Sequence, residues 1–250
     1  MKRVLITRTK EQSEEFASRL IAHNYEPLFF PTIEITSPLS WNDADEKINA
    51  IDTYSDIIFT STNAVHYFFT RCKTKSAFEK LSDKIFHAVG ATTKQTTENA
   101  GFRIETIPEK FSAKELAEAI VHSSAAKKKI FLFPHGDLSD ETLQAILKEN
   151  GIAIDSIVVY RTIQPQINED EKISIAYQLA FGLISVVTFF SPSSVQHFLE
   201  IFSECKNSSA ITFAVIGETT KQACIKYGIH PSQIILIDTL FHNDFLTQQK

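Results

Sequence analysis

Short apolar runs alternate along the whole chain with stretches whose apolar residues recur every three or four positions. The runs at 4–7, 25–31, 56–61, 86–89, 104–107, 130–133, 186–190, 213–216 and 234–237 predict strands, and 152–163 is a longer β-rich run. Residues 33–39 read as extended, with Pro38 keeping them from a central strand position. Helical spacing falls at 11–23, 43–51, 64–72, 92–100, 140–149, 173–180, 195–202 and 219–227. Ser112 with Glu115 three positions on is a capping-box signature for one more helix, and Asn150-Gly151 is a C-cap pair. Short strands separated by helices predict an α/β fold of doubly wound parallel sheets.

The pattern is also duplicated. Ala88-Val89-Gly90-Ala91-Thr92-Thr93-Lys94-Gln95 and Val215-Ile216-Gly217-Glu218-Thr219-Thr220-Lys221-Gln222 are the same strand, turn and helix start. The spacing from Gly90 to Gly217 is repeated from Gly101 to Gly228. Phe59-Thr60-Ser61 and Phe189-Phe190-Ser191 form a second pair. Two copies of one unit predict two similar domains with a cleft between them. A tandem division would cut the chain near 125–128. The extended segments at 33–39 and 154–166 allow another division, in which a two-strand connector joins an inserted middle domain to one built from both ends.

Composition narrows the function. A hydrophobic fraction of 43% and a charged fraction of 22% are those of a globular domain. A net charge of -5 argues against a general nucleic-acid binder but leaves room for a small anionic ligand at a local site. Cys72, Cys205 and Cys224 are too few for a disulfide framework and read as reduced thiols. No run is long enough for a membrane span, and the first apolar stretch is too short for a signal peptide. These features give the expectation of a cytoplasmic protein with no membrane or nucleic-acid partner.

Candidate chemistry gathers at the carboxyl ends of the strands, where open α/β sheets bind ligands. Gly90 and Gly217 allow close backbone approach. The helix starts beside them offer free N–H groups, and Thr92, Thr93, Thr219 and Thr220 add hydroxyls, an arrangement suited to a carboxylate or phosphate. Each turn would serve equally as an ordinary threonine N-cap. Ser61, Asn63, Ser191 and Ser193 are the partner turns, with Asn63 and Ser193 the expected helix caps and Pro192 at a helix start. Tyr160 leaves the long apolar run and is a candidate proton donor; packing at a strand end is the competing role. His135-Gly136-Asp137 reads as a turn before an acidic helix start. Glycine-rich nucleotide loops, zinc spacings and a hydrolase elbow are missing from the sequence.

The order of Ile6-Thr7-Arg8, Phe59-Thr60-Ser61, Ala88-Val89-Gly90, Val159-Tyr160-Arg161-Thr162, Phe190-Ser191-Pro192-Ser193 and Ile216-Gly217-Glu218-Thr219-Thr220 resembles the uroporphyrinogen-III synthase family from Arg3 to about Ile237. The resemblance implies a discontinuous domain of 1–35 with 167–250 and an inserted domain of 36–166. It implies closure of the linear tetrapyrrole hydroxymethylbilane to uroporphyrinogen III, with inversion of the last ring and loss of water, using no cofactor and no metal; a monomer is the separate expectation for the assembly. It points to Tyr160 as the residue that assists hydroxyl departure, and to Thr93, Thr220, Ser61, Ser191 and Ser193 as cleft hydroxyls. His135 stands where the family usually carries arginine, and no family role passes to it. Asn63 stands where the family often has arginine or another polar residue. Two other readings remain open: a non-catalytic sensor of a polycarboxylate, and a phosphosugar or nucleotide enzyme, against which the missing glycine loops count.

Overall fold

The structure is a computed structural model, and it describes residues 1–108, 112–123 and 125–242. In chain order the elements are β1 (Lys2–Ile6), α1 (Glu14–Ala22), β2 (Tyr25–Phe29), β3 (Glu34–Thr36), α2 (Asn42–Asn49), β4 (Asp56–Phe59), α3 (Thr62–Thr74), β5 (Ile85–Ala88), α4 (Ala91–Asn99), β6 (Ile104–Thr106) and α5 (Ala113–Val121). They continue with β7 (Ile130–Gly136), α6 (Thr142–Glu149), β8 (Ala153–Ile163), α7 (Glu169–Ala180), β9 (Ile184–Phe189), α8 (Pro192–Ile201), β10 (Thr212–Val215), α9 (Glu218–Lys226) and β11 (Ile234–Leu236). The chain divides into two compact units, Met1–Glu34 with Ile163–Lys250 and Ile35–Thr162. It passes between them within β3 and at the end of β8, which are hydrogen-bonded neighbours. Residues 243–250, which the sequence assigns to the discontinuous domain, lie outside the described residues.

The first unit carries a sheet of order β11-β10-β9-β1-β2, parallel at each pairing. The second carries β3-β8-β7-β4-β5-β6, with its five main strands parallel. Matching β9, β10, β11, β1 and β2 with β4, β5, β6, β7 and β8 gives both units the same strand order. The sequence repeat is therefore a duplicated sheet whose strands enter in a rotated chain order. Left-handed residues repeat with it: Asn24 (φ 60) pairs with Gly151 (φ 73), and Gly101 (φ 96) with Gly228 (φ 91), each ending the equivalent helix.

The duplication reaches the core. Phe59 stacks on Phe86 in the second unit, with centroids 6.1 Å apart, and Phe189 on Phe213 in the first, 5.9 Å apart. Phe68 and Phe198 meet the first ring of each pair edge-on. Every residue of β4 and β10 is buried, as expected for strands covered by helices on both faces. Each sheet has one apolar cluster on either face, so neither unit depends on the other for its core.

One polar cluster lies within the second unit, at the amino end of β4. The fully buried Asp56 carboxylate meets His87 Nε2 at 2.8 Å and Lys129 Nζ at 2.9 Å. Burial works to raise the Asp56 pKa, but hydrogen bonds with His87, Ser55 and Lys129 outweigh it and hold the group below the ordinary carboxylate value. Cys72, Cys205 and Cys224 are all free.

Two local expectations are corrected. The helix caps are Ser61 and Ser191, not Asn63 and Ser193, because the helices begin two and three residues earlier than the apolar spacing indicates. Thr92 and Thr219 are not caps either: the cap positions are Gly90 and Gly217, and neither helix start has a side-chain cap. The Ser112 hydroxyl accepts the Glu115 N–H as expected, while the reciprocal capping box is found at Ser191 and Ser194.

Candidate functional site

In the second unit the strand order turns between β4 and β7, the topological switch point at which α/β sheets bind ligands. Ser61, just past β4, accepts the Ala64 N–H at 3.1 Å and so begins α3. The same Oγ lies 3.2 Å from the Tyr160 hydroxyl, and either oxygen can donate. Tyr160 reaches this point from β8, where it pairs with Gly136 just after a register shift that leaves Val159 of β8 unpaired. Its ring lies directly over Gly136. A Cβ there would sit 2.6 Å from Tyr160 Cε2 and 2.7 Å from its hydroxyl oxygen, so a side chain fits only if the Tyr160 ring moves away. The turn is closed by the Asp137 N–H donating to the Tyr160 carbonyl at 3.1 Å and the Thr162 N–H donating to Asp137 Oδ1 at 2.9 Å.

Burial raises the Tyr160 pKa, the negative charge of Asp137 adds to this, and the Ser61 hydrogen bond opposes it. The phenol is therefore held neutral with its proton in place at physiological pH. Tyr67 of α3 tilts against the Tyr160 ring at 6.0 Å and donates its own hydroxyl to the Ile35 carbonyl at 2.9 Å. It also lines a pocket of about 360 Å³ with Trp41, His66, Thr70 and Arg71. Arg71 makes a two-point pair with Asp45 and is not free for a ligand. His135 is turned to the Gly136 carbonyl through Nδ1 at 2.8 Å, and burial lowers its pKa, so it stands as a neutral group.

The first unit has the equivalent turn in a different form. Ser191 Oγ accepts the Ser194 N–H at 3.2 Å and lies 3.1 Å from Ser193 Oγ. The Thr32 hydroxyl donates to the Ser194 carbonyl at 3.3 Å, and His197 meets the Thr32 carbonyl, tying the loop after β2 to α8. Among the described residues no tyrosine is hydrogen-bonded to this serine turn. Arg8, after β1, lies over the Phe190 ring at 4.8 Å instead.

The two glycine turns keep their first-turn N–H groups without a side-chain cap. Thr93 and Thr220 occupy matching places, 5% and 3% exposed, whereas Thr92 and Thr219 are exposed. The two glycines are not equivalent. Gly90 has φ 84, a conformation suited to glycine, whereas Gly217 at φ -177 is ordinary extended backbone. The structure thus brings Ser61 and Tyr160 together and groups Ser191 with Ser193. Asn63 is half-buried and caps nothing. Sequence reasoning gave no role to the close approach of Gly136, to Tyr67 or to Arg8. The signal for Gly136 was the glycine itself, next to the end of an apolar run in a segment that the sequence reads as a turn. Among the described residues there is no group of three or more side chains that could hold a metal ion, and no helix is long and apolar enough to cross a membrane.

Duplicated parallel sheets, with hydroxyls and uncapped helix starts at the strand ends and a neutral tyrosine at one switch point, define a class of two-unit α/β enzymes. A family model described as uroporphyrinogen-III synthase HemD matches residues 14–234. The chain belongs to the uroporphyrinogen-III synthase family. A uroporphyrinogen-III synthase of Chlorobaculum parvum is 32% identical over 92% of this chain and 91% of the relative. One of Synechococcus elongatus is 27% identical over 89% and 85%. Among solved structures, a mutant uroporphyrinogen III synthase of Thermus thermophilus shares the fold with a TM-score of 0.69 at 14% identity, covering 100% of this chain and 99% of that one. The uroporphyrinogen-III synthetase of Helicobacter pylori does so at 0.64 and 21%, covering 94% and 92%.

Proposed function

We propose that the strand-end groups described above are the working parts of a uroporphyrinogen-III synthase. The chain acts in tetrapyrrole biosynthesis, closing hydroxymethylbilane to uroporphyrinogen III with inversion of the last ring and loss of water. The observation that carries the residue-level reading is the Tyr160 hydroxyl, kept neutral by burial and set 3.2 Å from Ser61 at the switch point of the second unit.

The Tyr160 phenol gives its proton to the departing hydroxyl of the terminal hydroxymethyl group, which leaves as water. The substrate becomes an azafulvene cation. The Ser61 hydroxyl donates to the phenolate that is left, and the raised affinity of Tyr160 for its proton makes that phenolate a ready acceptor for the proton the last pyrrole ring must release. Between those steps the substituted carbon of the last ring attacks the cation and forms a spiro intermediate; the bond from that carbon to its original bridging methylene breaks, and the released methylene bonds to the free α-carbon of the same ring, which closes the macrocycle with that ring inverted. For this stage the protein supplies orientation and electrostatic support. Substrate carboxylates are held by the uncapped N–H groups and hydroxyls of Gly90, Thr92 and Thr93, by those of Gly217, Thr219 and Thr220, and by Asn63, Ser191 and Ser193. Such donors need no strongly basic surface, in keeping with a net charge of -5. The protein works as a cytoplasmic monomer without nucleic-acid or membrane partners.

Purified protein supplied with hydroxymethylbilane is expected to release the type III isomer. Calorimetric binding of hydroxymethylbilane with no turnover would replace the enzyme by a polycarboxylate sensor.

A further inference from the structure

Six arginines occur in the chain, and five have ordinary surroundings. Arg3 pairs with Glu26, Arg19 with Asp238 and Arg71 with Asp45. Arg161 donates to the Ser37 carbonyl, and Arg103 is exposed to solvent. Arg8 differs. It is half-buried against Phe190, and burial lowers its pKa without an opposing carboxylate. Among the described residues no acidic side chain and no carbonyl meets its guanidinium. A cation partly withdrawn from water is costly unless an anion answers it.

Its place in the fold is specific. In the first unit the strand order turns between β9 and β1, and Arg8 and Phe190 follow those two strands on the carboxyl side. The platform beneath is fixed: the Thr7 hydroxyl donates to the Thr188 carbonyl at 2.8 Å, and the Thr188 hydroxyl to the Leu5 carbonyl at 3.0 Å. Phe190 is itself held by a T-shaped contact with Phe16 at 5.3 Å, and the guanidinium lies over the Phe190 ring. Next in the chain come Ser191 and Ser193. The ring therefore presents a planar, pre-oriented cation at the switch point of the first unit. Such a fork matches a carboxylate in two-point geometry.

We infer that Arg8 is a binding residue for one carboxylate of the substrate. The inference rests on the synthase reading and adds to it a formal positive charge, which N–H groups and hydroxyls do not carry. The two switch points then play different parts. The second unit supplies the proton through Tyr160, and the first supplies charge through Arg8.

Steady-state kinetics with hydroxymethylbilane test it on Arg8→Gln and Arg8→Lys, with thermal unfolding of each. Loss of a charge-assisted contact should raise KM about tenfold or more in Arg8→Gln while kcat stays within about threefold. Arg8→Lys should recover part of that loss. If Arg8 only covers Phe190, Arg8→Gln lowers the unfolding temperature and leaves KM within about twofold of wild type, and the inference is overturned. A fall in kcat at unchanged KM overturns it as well. Wild-type protein that forms no type III product would instead remove the synthase reading itself.

Discussion

Replacing Gly136 by alanine puts a methyl group where the Tyr160 ring now lies. The new carbon would stand 2.6 Å from Cε2 and 2.7 Å from the hydroxyl oxygen. Carbon atoms pack at about 3.5–4.0 Å, so the ring must retreat by about 1 Å. The Ser61–Tyr160 contact, at 3.2 Å, is already long for a bond between hydroxyls and does not survive such a shift. A 1 Å displacement of a reacting group costs on the order of 10²-fold in rate, while overpacking at a buried strand end costs about 1–3 kcal/mol of stability. Gly136→Ala is therefore expected to stay folded, with a lower unfolding temperature, and to lose about 10²-fold in kcat for type III formation. A double-mutant cycle isolates the cause. In a Tyr160→Phe background the hydroxyl is gone, and Gly136→Ala should remove little further activity. Full kcat in Gly136→Ala, or a full additional loss on top of Tyr160→Phe, would refute the reasoning.

Other outcomes follow from the same geometry. Ser61→Ala and Ser191→Ala each delete a helix cap, so chemical denaturation should show a similar loss of about 1 kcal/mol in both, but only Ser61→Ala, which also strips Tyr160 of its partner, should lower kcat strongly. Gly90→Ala should cost about 1–3 kcal/mol because its backbone has φ 84, whereas Gly217→Ala, in extended backbone, should be close to neutral on the same assay. Asp56→Ala leaves Lys129 and His87 without their shared partner and should lose about 3–5 kcal/mol. Because the folded Asp56 carboxyl titrates below its unfolded value, its contribution is present above about pH 3.9 and is lost as pH falls through the lower folded pKa. An acid unfolding midpoint unchanged in Asp56→Asn would contradict this. Burial raises the Tyr160 pKa above its ordinary value of about 10, so a pH–rate profile should show no loss of kcat from phenol ionisation below that pH.

Much of the fold was legible because both periodicities were strong. Strands buried on both faces, such as β4 and β10, read as apolar runs behind a single polar residue, and the repeat around Gly90 and Gly217 survived in the shared glycine and Thr-Thr-Lys-Gln. Helix starts were legible only within two or three residues. α3 opens with Thr62 and Asn63, and α8 with Pro192, Ser193 and Ser194, before the first buried aliphatic residue marks the period, so Asn63 and Ser193 looked like caps where Ser61 and Ser191 do the work. The threonine pairs misled in a related way. Thr93 and Thr220 turn inward and Thr92 and Thr219 outward, a distinction that depends on helix phase rather than residue type. The site itself was half legible. Tyr160 and Ser61 were each visible as polar groups at strand ends, but their meeting is a contact across 99 positions of sequence. Strand order alone creates it, by laying β8 beside β7 and β7 beside β4. The close approach of Gly136 depends on the register shift before it, which leaves no mark on local composition. Arg8 stood in a recognisable motif, yet its want of a partner is a property of the folded neighbourhood.

We propose that the Tyr160 hydroxyl, set by Ser61 and Gly136, drives closure of hydroxymethylbilane with ring inversion. The direct test is the ratio of type III to type I product from wild type and Tyr160→Phe at equal concentrations of folded protein. Wild type should give the type III isomer almost alone. Tyr160→Phe, with the same fold by circular dichroism, should turn over about 10²-fold more slowly and shift the product towards the spontaneous type I isomer. A Tyr160→Phe variant that matches wild type in rate and isomer ratio would contradict the account.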